Sequence, residues 1–345
     1  MIADAQATPE KSWLLERGDP AHKKEEITLG FPAVLASAAT PKIAPPTGST
    51  STYQRRAMAE WLTDVNAGAG RLLARVIVNR LWLHHFGEGI VRTPDDFGFQ
   101  GERPTHPELL DWLAGELIAK GWKLKTLHKM MLMSAAYMQD TEYVAEKARI
   151  DPDNRLLWHR RPQRLEAEAL RDSILTLGGK LNPQMFGPSI KPYIPAEAMA
   201  GRNKDNVVSR PTEDSPALWR RSVYLWLKRS ITMPLLDTFD APNGSGTCGR
   251  RPRSTVATQA LILLNDPFVR GQAELFAKRV EADAGNDPAK QIALAFELAL
   301  GRAPENEELT GAMKIFQHPP GTGSSKRLVN FCHVLLSLNE FMYVD

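Results

Sequence analysis

Apolar residues recur at helical spacing along most of this chain, and short polar turns separate the helical segments. One segment shows the pattern most clearly, because Thr105 and Glu108 match a T-x-x-E capping box and Gly121 follows as a natural stop. Its apolar face is formed by Leu109, Leu110, Leu113 and Leu117. The same spacing predicts further helices over residues 53–62, 72–85, 124–137, 164–177, 255–264, 268–282, 289–300, 306–316 and 326–342.

These segments predict a mainly α fold, a multi-helix domain with long loops and a minor strand element. The strand is expected over residues 221–228, where alternate residues are apolar. Long loops are expected over residues 87–104 and 181–216, because Gly, Pro and Asn cluster there.

Several side chains in the predicted helices indicate what packs against the buried faces of those helices. Asn79 shares a stripe with apolar residues of the second helix, so the buried side of that helix is expected to meet polar partners. Trp61, Trp82 and Trp112 fall on apolar stripes and are expected in the core.

Changes in composition divide the chain into four segments. Residues 1–52 are expected to form an extended N-terminal segment and linker, because Pro, Ser and Thr cluster there. Residues 53–150 form a helical subdomain that carries a motif rich in His and Asp. Residues 151–265 hold a helix, long loops and the expected strand, and residues 266–345 form a C-terminal helical subdomain.

Charge and cysteine content narrow the range of functions. Among the 345 residues, 43 basic side chains are nearly matched by 40 acidic ones, and a net charge of +3 is too weak to favour nucleic acid as a partner. Cys248 and Cys332 cannot make a disulfide framework, and neither lies in a C-x-x-C-H haem motif. No apolar run approaches the roughly 18 residues of a membrane span. The N-terminus lacks the pattern of a signal peptide, so we expect either a cytoplasmic protein or the tail of a longer one.

A family resemblance is carried by several long strings in a fixed order. They include VNRLWLHHFGEGIVRTPDDFGFQGERPTHPELLDWLA, RRPQRLEAEALRDSIL, RRSVYLWLKRS, RPRSTVATQALILLND and CHVLLSLNEFMYVD. Together they resemble the C-terminal domain of unknown function found in large cytochrome-c-containing proteins of Planctomycetes and their relatives. The resemblance extends from about residue 17 to residue 345.

This resemblance implies a setting for the chain. In that family the domain follows a signal peptide, a haem-binding cytochrome c segment and a second uncharacterised domain, which implies a periplasmic or cell-envelope protein. It also implies a cytochrome c domain or protein as a partner. Haem c is expected only in such an upstream segment, so no cofactor is expected in this chain. The family provides no established catalytic residues to transfer.

Five side chains of the second segment have the chemistry of a catalytic or metal site: His84, His85, Asp95, Asp96 and His106. Imidazole and carboxylate groups bind divalent metals and transfer protons. Their spacing matches no recognised ligand pattern, and adjacent histidines on a helix point about 100° apart, so only one of the two can face a given site. The alternative is structural, with the aspartates capping a turn and His106 in the first turn of the next helix.

A Gly-rich loop carries the second candidate site, formed by Arg250, Arg251 and Arg253 just before a predicted helix. Its ligand would be an anionic glycan, because guanidinium forks match carboxylate and sulfate groups. The interpretation we favour is a network of ion pairs that holds helices together, formed with Glu166, Glu168, Asp172, Asp237 and Asp240. Near this arginine-rich part, Trp219 and Trp226 are candidates for stacking on a ligand ring.

Two functions follow from these observations. The first is a binding or assembly module that acts beside a cytochrome c segment. The second is an enzyme, a hydrolase or oxidoreductase such as one acting on anionic polysaccharide, with a pocket of His, Asp and Arg side chains. Geometry distinguishes them, because an enzyme requires these groups to converge within hydrogen-bond reach in one cleft.

Overall fold

The chain folds into two compact units, Met1–Arg160 and Arg161–Asp345. The structure is a computed structural model that describes residues 10–35, 47–191, 215–227, 233–242, 244, 246–317 and 324–344. Within these ranges lie thirteen α-helices and two small antiparallel sheets, which confirms the predicted mainly α fold. None of the described helices combines the length and apolar character needed to cross a membrane.

The first unit is built mainly from three packed helices. Its core residues include Val78, Leu110, Leu117 and Leu127, which the apolar stripes of α2, α3 and α4 supply. The elements in order are β1 (Ser12–Leu15), β2 (Lys23–Ile27), α1 (Gln54–Thr63), α2 (Gly70–Phe86), α3 (Pro107–Ala119), α4 (Leu124–Leu132) and α5 (Ala145–Ile150). In the small sheet, β1 pairs antiparallel with β2.

Helix α3 ends as predicted but begins differently. At its C-terminus Gly121 has a φ of +66°, and the backbone N–H groups of Gly121 and Trp122 donate to Ile118 and Leu117, which is a Schellman motif. The predicted capping box is wrong, because no side chain caps the first turn. Thr105 instead bonds the preceding loop, since its N–H donates to the carbonyl of Ile90 at 2.9 Å.

The loop after α2 is held by one buried side chain. Asn79 is fully buried, its Nδ2 donates to the carbonyl of Val91 at 2.9 Å, and its Oδ1 accepts from the N–H of Val91 at 2.8 Å. Gly89 passes so close that an added Cβ would lie 2.8 Å from this amide. The prediction that the buried side of α2 meets polar partners is therefore confirmed at Asn79.

Two expectations for the first unit are wrong. The helix predicted over residues 124–137 ends at Leu132, because the hydroxyl of Ser134 bonds the carbonyl of Met131 at 2.7 Å and turns the chain. Trp112 is 54% exposed, so it lies on the outer face of α3 rather than in the core. Trp61 and Trp82 are buried as predicted.

The second unit packs α6, α9 and α12 around one apolar core. Leu170, Ile174, Phe276, Val280 and Leu335 are among its fully or nearly fully buried residues. The elements are β3 (Gln163–Arg164), α6 (Ala167–Leu177), α7 (Pro234–Thr238), α8 (Ala257–Asn265), α9 (Pro267–Ala284), α10 (Pro288–Leu300), α11 (Asn306–Gln317), α12 (Ser324–Leu335), α13 (Asn339–Met342) and β4 (Tyr343–Val344). Strand β3 pairs antiparallel with β4, which joins the two ends of the unit.

The strand predicted over residues 221–228 is wrong for the part that the structure describes. Residues Ser222–Tyr224 form a 3-10 turn, and only isolated bridges at Arg220 and Leu225 pair with another segment. Leu225 is buried, whereas Val223 is 74% exposed, so the apolar alternation does not define a buried face. The backbone here bonds both to side chains of α6 and to the backbone of Ile190, which is too short a pairing to form a strand, and Lys228 lies outside the described residues. The minor strand element consists instead of the two short sheets.

Candidate functional site

Of the two adjacent histidines on α2, only His85 faces another titratable side chain. Its Nε2 lies 2.8 Å from Nδ1 of His128 on α4, and the ring of Tyr137 meets its ring edge-on at 5.8 Å. Burial, followed by the charges of His128 and His84, lowers the pKa of His85. His84 is exposed on the outer side of the helix. His128 was not among the predicted site residues. The feature of the sequence that could have indicated it is its position on the apolar face of the next helix.

The remaining candidates of the first unit each have a separate partner. Asp95 lies 3.6 Å from Nη2 of Arg80, and Oδ1 of Asp96 accepts from the N–H of Gly98 at 2.7 Å. Nδ1 of His106 lies 2.9 Å from the hydroxyl of Thr105, its neighbour. Among the described residues, no three His, Cys, Asp or Glu side chains are placed to hold a metal ion together. These groups therefore act as turn caps and local ion pairs in this structure.

The loop arginines contact acidic and polar side chains of the same unit. Nη1 of Arg251 lies 2.6 Å from Glu168 and 3.4 Å from Glu166, and Nη2 of Arg253 donates to Gln163 at 3.1 Å. The carbonyl of Arg250 accepts from the exposed thiol of Cys248 at 3.3 Å.

A third carboxylate, that of Asp240, also fixes this loop. Asp240 contacts the buried Arg164 through a 2.5 Å ion pair, and it accepts from the N–H and the hydroxyl of Ser254 at 2.8 Å each. The described contacts of the loop are thus those of an ion-pair network.

A cavity of about 320 Å³ lies elsewhere in the second unit. Helix α6 forms one side, the 3-10 turn Pro216–Trp219 another, and α7 with the start of α9 the rest. The lining is mainly apolar, and it includes Trp219, Met233, Leu235, Phe268, Arg171 and Asp266. Such a volume, lined by aromatic groups with a few polar ones, is typical of small-molecule sites.

Arg171 is the central charged group of this pocket, although its side chain is only 4% exposed. Nη1 donates to the carbonyl of Arg220 at 3.2 Å and to the hydroxyl of Ser222 at 3.1 Å, and Nη2 donates to the carbonyl of Leu218 at 3.4 Å. Nε has no hydrogen-bond partner among the described residues. Burial lowers the pKa of Arg171 to about 10, against the effect of the neighbouring Asp172, so the guanidinium stays charged at neutral pH.

Two aromatic rings and one carboxylate complete the pocket. The rings of Trp219 and Phe268 are nearly parallel, at 18°, with centroids 6.4 Å apart, and the guanidinium of Arg171 lies 5.7 Å from the Phe268 centroid. Asp266 is the N-cap of α9, because its Oδ1 accepts from the N–H of Phe268 at 2.7 Å. Burial raises the pKa of Asp266, against the effect of that hydrogen bond.

Sequence reasoning found part of this pocket. Trp219 was a candidate for ring stacking, Arg171 was one of the arginines for which an ion-pair network was favoured over an anionic pocket, and Asp266 was not selected. Arg171 lies within a helix and Asp266 just before one, and only the fold brings them to one cavity.

Comparison with known proteins gives one result at the level of a family. Residues 54–316 match the family model PSD1, described as a protein of unknown function (DUF1553). No match was found among curated proteins or among solved structures. The matched segment covers most of the chain and includes the pocket residues. The chain therefore belongs to the PSD1 family of proteins of unknown function (DUF1553).

Proposed function

We propose that this chain is a ligand-binding module and that the pocket beside Arg171 is its binding site. One observation carries the proposal: a largely apolar cavity of about 320 Å³ contains a buried guanidinium whose Nε has no acceptor among the described residues. A buried N–H without an acceptor is costly, and a ligand oxygen that bonded it would relieve that cost. The aromatic pair Trp219 and Phe268 supplies apolar area for a ligand ring.

The enzyme alternative has less support in the geometry. It required the histidines and aspartates of the first unit to converge in one cleft, whereas Asp95, Asp96 and His106 each contact a different neighbour. His85 and His128 do form a pair, with the ring of Tyr137 against His85, but the described contacts of Asp96 and His106 are with other residues. We therefore favour binding over catalysis.

The pocket proposal is tested with ring-bearing fragments and two tryptophan variants. Saturation-transfer NMR would follow D-glucose, D-glucuronate, benzoate and L-phenylalanine with the wild-type chain, Trp219→Ala and Trp226→Ala. Trp226 is a matched control, because it belongs to the same unit but does not line the cavity. We expect at least one fragment to bind the wild type and Trp226→Ala but not Trp219→Ala. Binding that is equal in all three proteins, or no binding at millimolar concentration, would contradict the proposal.

An anionic glycan is the ligand that Arg250, Arg251 and Arg253 predict, and we keep it as a separate proposal. Its weakness is that Arg251 already contacts two glutamates. Titration with polygalacturonate provides the test, since a loop site would lose affinity in Arg250→Gln and a pocket site would not.

The setting of the module is a proposal that rests on the sequence resemblance. We propose that the chain works in the cell envelope beside a cytochrome c domain or protein. The test is to purify the protein from its native cells after separating the periplasmic and cytoplasmic fractions, and to record a reduced-minus-oxidised haem spectrum. A periplasmic protein that carries or retains haem c supports the setting. A cytoplasmic protein without haem c contradicts it.

A further inference from the structure

The charges around the pocket balance one another. Arg171 and Asp266 line the cavity with opposite charges. Behind the guanidinium, Asp172 lies 3.7 Å from Arg171 and 3.9 Å from Arg221. Two cations and two carboxylates thus sum to zero, so the site does not favour a ligand with a large net charge. A ligand with one positive and one negative group fits this arrangement.

The positive end of the pocket is suited to a carboxylate. The described bonds of Arg171 are two from Nη1 and one from Nη2, and Nε is the guanidinium nitrogen without a described partner. A guanidinium binds a carboxylate through two parallel N–H groups, which matches the planar, two-oxygen shape of that ligand group.

The negative end is suited to an ammonium group. Oδ1 of Asp266 accepts from Phe268, whereas Oδ2 has no hydrogen bond among the described residues. A cationic donor beside Oδ2 would offset the cost of keeping this carboxylate charged in a partly buried position.

The rest of the lining is mainly apolar. Trp219, Met233, Leu235 and Phe268 offer aromatic, thioether and branched surfaces. Such surfaces favour a hydrocarbon or aromatic side chain over a hydroxylated one.

We propose that this pocket binds a free α-amino acid with an apolar side chain in its zwitterionic form. The carboxylate lies against Arg171, the ammonium against Asp266, and the side chain against Trp219 and Phe268. This inference rests on the proposed function of the pocket and names its ligand class.

Isothermal titration with three related probes tests each charge in the wild-type chain. L-phenylalanine carries both charges, 3-phenylpropionate lacks the ammonium, and 2-phenylethylamine lacks the carboxylate. Because a hydrogen bond between charged groups is lost in each analogue, we expect L-phenylalanine to bind at least about tenfold more tightly than either. Equal affinity for all three probes would overturn the inference.

A matched pair of cap variants adds a readout that a purely structural role would not change. Asp266→Asn keeps a good N-cap but removes the charge. It should weaken L-phenylalanine about tenfold and leave 3-phenylpropionate equal or tighter. Asp287→Asn is the control, because Asp287 caps α10 in the same way, with Oδ1 accepting from Ala289 at 3.0 Å, and does not line the cavity. An unchanged preference in Asp266→Asn contradicts the assignment of the ammonium.

The guanidinium is tested by Arg171→Lys, which keeps the charge and loses the fork. L-phenylalanine and 3-phenylpropionate should both weaken, whereas 2-phenylethylamine should not. If none of the three probes binds but another fragment binds in a manner that depends on Trp219, the amino-acid inference is wrong and the pocket proposal stands. If no fragment binds at all, both are wrong.

Discussion

Replacing Asn79 by alanine provides a sharp test of how the first unit holds the loop after α2. The side chain is fully buried and bonds both the N–H and the carbonyl of Val91. Each backbone group left without a partner costs about 1–3 kcal/mol. Since a water molecule can enter the space vacated by the amide, we expect a loss of about 3 kcal/mol rather than the full sum.

Equilibrium urea unfolding measures this loss, and Asn66→Ala is the matched control. Asn66 is exposed in a turn, so its truncation should change the free energy of unfolding by less than about 0.5 kcal/mol. Hydrogen exchange adds a local readout, because the amide of Val91 loses its acceptor and should exchange faster. If Asn79→Ala is no less stable than Asn66→Ala, the reasoning about buried backbone partners is refuted.

Two other predictions concern stability. Burial and the neighbouring imidazoles lower the pKa of His85, so near neutral pH the unfolded state binds more protons than the folded state. The free energy of unfolding should therefore fall as the pH drops below about 6.5. Urea unfolding of His85→Gln should show a weaker pH dependence than that of the wild type. A steeper or unchanged dependence would contradict this. At Gly178 an added Cβ would lie 2.3 Å from Oε1 of the buried Gln272. Because this atom is the end of a flexible side chain that can shift, Gly178→Ala should lose only about 1 kcal/mol. Gly115 lies in an open position of α3, so Gly115→Ala should raise the free energy of unfolding by about 0.5–1 kcal/mol. Thermal melts in which both alanine variants change the melting temperature in the same direction would contradict this packing.

The sequence predicted the features of the fold that depend on local chemistry. The Schellman motif at Gly121 and the buried polar contact of Asn79 were both expected from position on a helix. The failures come from side-chain hydrogen bonds that an apolar pattern does not report, some of them local and some between distant segments. The hydroxyl of Ser134 ended a helix whose apolar pattern continues, and bonds to Arg171 and Asp172 held residues 220–225 as a turn rather than a strand.

The candidate site was less predictable because its parts come from distant segments. Arg171 and Asp266 are nearly one hundred positions apart in sequence, and each has an ordinary local role in or beside a helix. The motif richest in His and Asp drew more attention in the sequence, yet the structure gives most of its members local partners. Trp219 was identified because it is an aromatic residue close to arginines in the sequence, and this feature can be read without knowledge of the fold.

The central claim is that the pocket beside Arg171 holds a small ligand. The most direct measurement is a titration of the ¹⁵N-labelled chain with L-phenylalanine, in which NMR follows the indole N–H signals of the eight tryptophans. We expect the Trp219 signal, assigned from Trp219→Ala, to shift in a saturable manner while the Trp226 signal stays in place. A Trp219 signal that does not respond to L-phenylalanine or to any of the other fragments would contradict it.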